Sequence, residues 1–446
     1  YEDLPKSEGH GFYRKLNKLL AEEGFDEFVE AICQEHYHSR KGRPGIPPGI
    51  YFRMLLVGYF EGIGSQRGIA WRCNDSLSLR AFLGVALHED APDHSSLTRV
   101  RDRLPLSVHQ EVFQFILGLA EEHGLLKGKT LAVDATTLEA DAAMKSIVRG
   151  DTGEDWETYV KRLMQEAGEI EEDEEPSIDE IKRFDQKRED KKVSNADWQS
   201  TTDPDSRIAK MKDGRTHLAY KAEHAIDLDT ELVVSAEVYH ADQADTETIG
   251  STVSAAQEHL ARADSDVNFE EVVADKGYYG NETLGELEYG EGLRTYIAEP
   301  KQTHRRNWKN KPVEQKQAVT NNRRRIGGKR GRALQRKRSE RVERSFAHVC
   351  ETGGSRRAWL HGIEKVSKRY LMSAVARNLG LVMRSLFGFG TARSLQAEGD
   401  SLDNLYYACL VILRRLQTLL PIKPAVCDGS GVSTQFGAAS WKCKKN

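Results

Sequence analysis

The sequence predicts an α/β protein in which helices flank a mixed sheet, with an all-α domain before it. In residues 1–125, apolar residues recur at three- and four-residue spacing, which is typical of amphipathic helices. From about residue 129, short apolar runs and alternating segments rich in β-branched residues replace that spacing, with helical stretches between them. Strands that alternate with helices after a hairpin indicate a mixed sheet with helices on its faces.

The N-terminal region is expected to contain several short helices. The stretch PPGIYFRMLLVGYFEGIG has Pro47 and Pro48 near its start, where a helix tolerates proline. Short helices with arginines on one side suit a helix-turn-helix-like DNA-binding module. A plain helical bundle with solvated arginines fits the same spacing, and the two interpretations remain open on spacing alone.

The region from 126 to 390 is predicted to form the α/β domain. It begins with the strand TLAVDAT, and a hairpin over 218–240 follows after a polar insertion at about 144–215. FEEVVAD and LRTYIAE are predicted strands, and the segments before and between them are predicted helices. The acidic part of the insertion is too charged to bury and is expected to be solvated.

The C-terminal part of the chain is predicted to be helical and then disordered. After residue 300 the chain is basic and poor in apolar residues up to about 335, and helices are expected to resume with RSERVERSFAHVCE. A helix is predicted over 391–420. Residues 421–446 have no periodicity and are expected to be a disordered tail.

Charge is distributed unevenly along the chain. The net charge is −4 over 446 residues. Residues 151–180 contain thirteen Asp and Glu against two Lys and Arg, whereas residues 301–344 contain seventeen Lys and Arg against three Asp and Glu. The basic segment favours a polyanionic partner over a solvated linker, because lysine and arginine neutralise phosphates.

The composition also bears on location. Six cysteines are scattered without a CxxC pair, which argues for a reducing compartment and against a disulfide framework. No apolar run reaches the length of a membrane span, so we expect a cytoplasmic protein without a membrane partner.

Three acidic residues are candidates for a metal-binding pocket. Asp134 and Asp275 each follow an apolar run, and Glu343 lies on a predicted helix. Carboxylates that converge from strand ends and a helix can hold paired divalent metals. Taken singly, each has an ordinary alternative: turn chemistry for the aspartates and a solvated ion pair for the glutamate. Glu139 and Asp141 are nearby candidates for a supporting role, although solvated side chains are the simpler interpretation.

Several other chemistries are excluded or disfavoured. GGKRGR lacks the spacing of a phosphate-cradling nucleotide loop, and no GxSxG, HExxH or paired CxxC motif is present. His217, His224 and His240 fall on or near the predicted hairpin at spacings that match no metal motif. We interpret them as structural histidines.

Many separate stretches resemble bacterial insertion-sequence transposases of the DDE type, in the order of that family. They include PPGIYFRMLLVGYFEGI, PDHSSLTRVRDRL, AVDATTLEADA, HADQADTETI, VVADKGYYG and ERVERSFAHV. The resemblance covers roughly residues 40–390 and implies an RNase H-like catalytic domain. It assigns the catalytic and metal-binding triad to Asp134, Asp275 and Glu343. Related groups often carry a lysine seven residues after the glutamate, where this chain has Cys350.

The resemblance implies cleavage at insertion-sequence ends and transfer of the freed 3′-hydroxyl into target DNA. Mg²⁺ would be the cofactor, with Mn²⁺ able to substitute, and the partners would be double-stranded DNA and a second copy of the chain. Residues expected to contact DNA are Arg99, Arg101, Lys276, Tyr278, Tyr279, Arg323, Arg324, Arg325, Lys329, Arg330, Arg341 and Arg344. The alternatives are an inactive or domesticated DNA-binding protein and an RNase H-like nuclease without strand transfer.

Overall fold

A computed structural model describes residues 9–37, 45–189, 194–211, 214–301 and 308–397. The described part of the N-terminal region contains seven α-helices: α1 (Gly11–Glu22), α2 (Phe25–Cys33), α3 (Pro48–Glu61), α4 (Gln66–Asp75), α5 (Leu77–Leu83), α6 (His94–Arg103) and α7 (Leu106–Glu122). The first strand begins at Thr130. The predicted change from helices to strands near residue 125 is therefore confirmed.

The strands of the main sheet are β1 (Thr130–Glu139), β4 (Arg207–Lys210), β5 (Thr216–Asp227), β6 (Val233–His240), β7 (Glu271–Ala274) and β8 (Arg294–Ile297). The order across the sheet is β6, β5, β1, β7, β8, and β4 pairs with the first residues of β5. Strand β5 runs antiparallel to its two neighbours β1 and β6, whereas β7 and β8 run parallel to β1. This mixed sheet, flanked by helices, fits an RNase H-like fold, as expected.

The later helices pack on this sheet and on the N-terminal helices. They are α10 (Asp245–Arg262), α11 (Asn281–Gly285), α12 (Val313–Gly327), α13 (Lys329–Phe346), α14 (Ile363–Phe387) and α15 (Ala392–Ala397). Helix α13 contacts β1, β7 and β8, while α14 contacts β6, α3 and α7. One hydrophobic core joins side chains from the N-terminal helices, the sheet and these helices.

The polar insertion has more regular structure than predicted. It contains a small sheet of β2 (Ile147–Arg149) and β3 (Trp198–Ser200), with α8 (Trp156–Glu166) and α9 (Ile178–Lys187) between them. Helix α9 begins at a capping box in which Ser177 and Glu180 satisfy each other's backbone N–H groups. The acidic residues are solvated, as expected, and a small apolar cluster of α8 and α9 holds the two helices together.

The basic segment also differs from the prediction, because α12 and α13 begin well before residue 338. Their buried residues are few and widely spaced, so the apolar periodicity is hidden among lysines and arginines. Of the predicted C-terminal helix over 391–420, the described part contains α15, and the predicted disordered tail lies outside the described residues. None of the described helices is both long and apolar enough to cross a membrane.

Candidate active site

Strand register brings two of the predicted carboxylates to the same level of the sheet. The parallel strands β1 and β7 pair Thr130 with Glu271 and Ala132 with Val273. Continued by two residues, this register would bring Asp134 level with Asp275, and the charge of Asp275 does act on Asp134. Asp275 directly follows β7, as predicted, whereas Asp134 lies in the middle of β1 and not at a strand end, because β1 continues to Glu139 against β5.

Asp134 is held from two sides. Its Oδ1 accepts a hydrogen bond from the backbone N–H of Ala135 at 2.9 Å, and its Oδ2 accepts one from Nη1 of Arg338 at 2.5 Å. Burial nevertheless raises the pKa of Asp134, and the nearby carboxylate of Asp275 raises it further, against the lowering effect of Arg338. Two like charges therefore lie close together at this point, an arrangement that a bound cation relieves.

Asp275 begins a tight turn over Lys276–Tyr278. Its Oδ1 accepts a hydrogen bond from the backbone N–H of Gly277 at 2.7 Å, which closes the turn. A Cβ added at Gly277 would lie 2.5 Å from Oδ2 of Asp245 and 3.1 Å from Oδ1 of Asp275. Only glycine therefore fits here without a shift, and Asp245, which opens α10, becomes a close neighbour of Asp275.

A buried polar network supports this turn from below. The hydroxyl of Tyr278 donates to Glu223 at 2.8 Å, and Glu223 also accepts from Thr248 at 2.9 Å and from Thr252. Lys221, 7% exposed, forms an ion pair with Asp245 at 2.7 Å. Burial raises the pKa of Glu223. The network ties the Asp275 turn to β5 and α10, so the backbone at Asp275 is fixed by hydrogen bonds.

Helix α13 lies across the same end of the sheet. Nε2 of Gln335 donates to the carbonyl of Ala274 at 2.8 Å and to that of Tyr296 at 2.6 Å, which pins the helix to β7 and β8. One turn later, Arg338 reaches Asp134 on β1. A single face of α13 therefore contacts the strands that carry both aspartates.

The C-terminal end of α13 packs on β5 beside Asp134. His224, the cross-strand partner of Asp134, stacks on Phe346 with 4.1 Å between ring centroids. The hydroxyl of Ser345 donates to the carbonyl of Val342. Its oxygen therefore accepts in the 2.9 Å hydrogen bond with His224, whose Nδ1 carries the proton. Nε2 then accepts from Tyr370 at 2.8 Å. Burial lowers the pKa of His224 to about 3, in agreement with a neutral, structural histidine.

Glu343 is not brought to the two aspartates by these contacts. It is exposed, and it lies five residues after Arg338, a rotation of about 140° around an α-helix. Among the described residues, no group of three or more His, Cys, Asp or Glu side chains is placed to hold a metal ion. The pair Asp134 and Asp275 offers hard oxygen donors that suit a divalent cation, and it lacks the third carboxylate of the predicted triad.

The residues predicted to contact DNA fall into three groups. Arg99, Lys276, Arg324 and Lys329 are exposed. Five arginines are engaged with carboxylates or carbonyls: Arg323 with Glu299, Arg325 with Glu288, Arg330 with Glu271, Arg341 with the carbonyls of Leu228 and Asp229, and Arg344 with Glu231 and Glu340.

The third group lies inside the protein or partly so. Arg101 is 6% exposed and Tyr278 is fully buried, so neither side chain lies on the open surface of the described chain. Tyr279 is partly buried. Tyr278 was expected to pack beside a nucleic acid strand, but its hydroxyl serves the network at Glu223.

Sequence reasoning missed Arg338, Gln335, Lys221 and Asp245. A signal for Arg338 was available, because Leu334, Arg338 and Val342 are spaced by four residues on the buried face of α13. The pair Lys221 and Asp245 had no such signal, since a salt bridge between a strand and the next helix is set by tertiary packing.

Two family models match the chain. The transposase domain DUF772 matches residues 1–103, and the transposase DDE domain matches residues 175–379, a range that includes Asp275 and Glu343 but begins after Asp134. Neither the curated proteins nor the solved structures that were searched gave a match. The two matched domains, in this order and joined to this mixed sheet, show that the chain belongs to the insertion-sequence transposases of the DDE type.

Proposed function

We propose that this protein cleaves DNA at the ends of an insertion sequence and transfers the freed 3′-hydroxyl into target DNA. The observation that supports this most strongly is the closeness of Asp134 on β1 to Asp275, which directly follows the adjacent parallel strand β7. Their mutual repulsion and the partly buried setting of Asp134 favour a bound divalent cation, for which we propose Mg²⁺, with Mn²⁺ as a substitute.

The protein's own residues have distinct roles in this proposal. Asp134 and Asp275 would hold the metal, and a metal bound there would supply activation of a nucleophile and stabilisation of the leaving oxygen at a phosphodiester. Arg338 orients Asp134, and the N–H of Gly277 orients Asp275. Exposed Lys276, next to Asp275, is placed to meet a phosphate of the bound strand.

Glu343 remains our candidate for the third carboxylate, to be supplied when DNA and metal bind. It is exposed, and it makes no side-chain ion pair or hydrogen bond with the described residues. Its neighbour Glu340 pairs with Arg344 and provides a matched control on the same helix. If the proposal holds, Glu343→Gln abolishes cleavage and Glu340→Gln does not. Equal cleavage rates for the two variants would show that Glu343 is not part of the catalytic site.

The decisive assay incubates the full chain with Mg²⁺ and labelled DNA that carries the inverted repeats flanking its gene. Cleavage with a joined product supports transposition, whereas cleavage without joining indicates a nuclease. Binding without cleavage indicates an inactive DNA-binding protein. Because two ends must meet, we also propose that a homodimer forms on DNA in the cytoplasm, at the nucleoid.

A further inference from the structure

A cavity lies apart from Asp134 and Asp275, between the N-terminal helices and the segment that follows α13. Its volume is about 450 Å³, within the range of sites for small organic ligands. Side chains from α3, α6, β1 and α14 line it. Leu138 of β1 is among them, on the same strand face as Asp134 and roughly 13 Å further along the strand.

The charge inside this cavity is unbalanced. Four arginines line it against one aspartate, Asp141, which already pairs with Arg357 at 3.0 Å. Burial lowers the pKa of Arg369 to about 10, and the nearby charge of Arg101 contributes to this lowering. An anion would relieve the repulsion between the two guanidinium groups.

The two arginines also present unused donors. Nη2 of Arg369 donates to the carbonyl of Ile63 at 3.0 Å, but its Nη1 is buried without a hydrogen-bond partner among the described residues. Arg101 is 6% exposed and pairs with Asp102, to which its Nη2 donates at 3.5 Å. Its Nε and Nη1 are buried without a hydrogen-bond partner among the described residues. Buried guanidinium donors normally have partners, so these atoms indicate a ligand with several acceptor oxygens.

Aromatic side chains complete the cavity. The rings of Tyr51 and Tyr370 line its inner wall, and Trp359, 49% exposed, lies at its mouth against Gly64. Arg357 lies over the Trp359 ring at 4.8 Å from its centroid. An aromatic and cationic wall of this kind suits a ligand that combines a flat ring with a negatively charged group.

We propose that this cavity binds a phosphorylated nucleoside, with the phosphate on Arg101 and Arg369 and the base against Trp359. The ligand is either a free nucleotide or one nucleotide of a DNA strand. The proposal needs no bound metal and no cleavage, so it stands or falls separately from the proposed catalytic function.

Calorimetric titration of the full-length protein with the four deoxynucleoside 5′-monophosphates tests this proposal. We expect binding that requires the phosphate, so the deoxynucleosides alone should bind at least about tenfold more weakly. Arg369→Gln should weaken binding about tenfold or more, as hydrogen bonds to a charged group imply. Arg103→Gln, an exposed position two residues after Arg101 on α6, is the matched control and should bind normally.

Three further measurements keep the test independent of folding and catalysis. Trp359→Ala changes an exposed side chain and should weaken binding even if the arginine variant does not fold. Asp275→Asn should bind the nucleotide normally while losing cleavage. A single-stranded pentanucleotide that competes with the monophosphate indicates a strand ligand, and one that does not compete indicates a free nucleotide. The proposal is overturned if neither ligand binds, or if Trp359→Ala and folded Arg369→Gln both bind normally.

Discussion

Asp134 has a carboxylate whose environment favours the neutral form. Burial and the charge of Asp275 raise its pKa, and the ion pair with Arg338 offsets this only in part. In the metal-free protein the folded state therefore holds a proton on Asp134 above the pH at which the unfolded chain releases it. The cost of ionising Asp134 is the reason to expect metal binding and stability to depend on pH at this residue.

We expect the free energy of unfolding of the metal-free protein to fall as the pH rises from about 4 through the raised pKa of Asp134. In that pH range the folded state keeps a proton on Asp134 that the unfolded state has released. Divalent metal should reverse the loss. The measurement is the free energy of unfolding against pH for the wild type and for Asp134→Asn, whose difference isolates this group. If the wild type instead gains stability relative to Asp134→Asn as the pH rises, the pKa of Asp134 is lowered in the folded state.

Gly277→Ala should lower the cleavage rate by roughly tenfold to a hundredfold, because the new Cβ would displace the carboxylates of Asp245 and Asp275. DNA affinity should change little. Gly250→Ala is the control: its Cβ meets no atom, and the change should stabilise α10 by about 0.5–1 kcal/mol without altering cleavage. Cleavage by Gly277→Ala at the wild-type rate would show that the tight packing at Gly277 does not matter for catalysis.

At the scale of elements, the strands and the hairpin of the sheet could be predicted from sequence, because their apolar runs and alternation are local. Helices α12 and α13 begin inside a segment that looked irregular, since only a few buried residues mark their inner faces. The four-residue spacing of Leu334, Arg338 and Val342 marks Arg338 as inward-facing, but it does not show what Arg338 contacts. The contact between Arg338 and Asp134 joins residues 204 positions apart, and no local pattern encodes it.

The turn after Asp275 depends on the network under it, and Tyr278→Phe tests that dependence. Loss of the hydroxyl leaves Glu223 without one of its donors, so the free energy of unfolding should fall by about 1–2 kcal/mol. DNA affinity should be unchanged. If Tyr278 instead stacks on DNA, Tyr278→Phe keeps the ring and should leave stability unchanged. Only Tyr278→Ala should then weaken DNA binding.

At the scale of the whole molecule, the family and the fold class could be predicted because many short motifs occur in one order. The surface that meets DNA could not, because a run of basic residues does not show which charges are already neutralised. Arg324 is exposed, whereas its neighbour Arg325 forms a bidentate ion pair with Glu288, with hydrogen bonds of 2.9 and 3.0 Å. Tertiary ion pairs thus reduce the charge available to phosphates.

This difference should appear in the salt dependence of DNA binding. If Arg324 contacts a phosphate, Arg324→Gln should reduce the slope of log affinity against log salt concentration by about 1. Arg325→Gln should change the slope less and destabilise the fold instead, because it frees Glu288. The measurement is DNA binding by anisotropy over a series of salt concentrations, and equal slope changes for the two variants would contradict this assignment.

The central claim is that Asp134 and Asp275 share a divalent cation, and Mn²⁺ binding tests it most directly. Electron paramagnetic resonance reports free Mn²⁺ as it is titrated into the metal-free, full-length protein, with and without element-end DNA. We expect binding by the wild type and by Glu340→Gln, and loss of most of that binding in Asp134→Asn and in Asp275→Asn. Mn²⁺ binding at the wild-type level by the double variant Asp134→Asn with Asp275→Asn would contradict the claim.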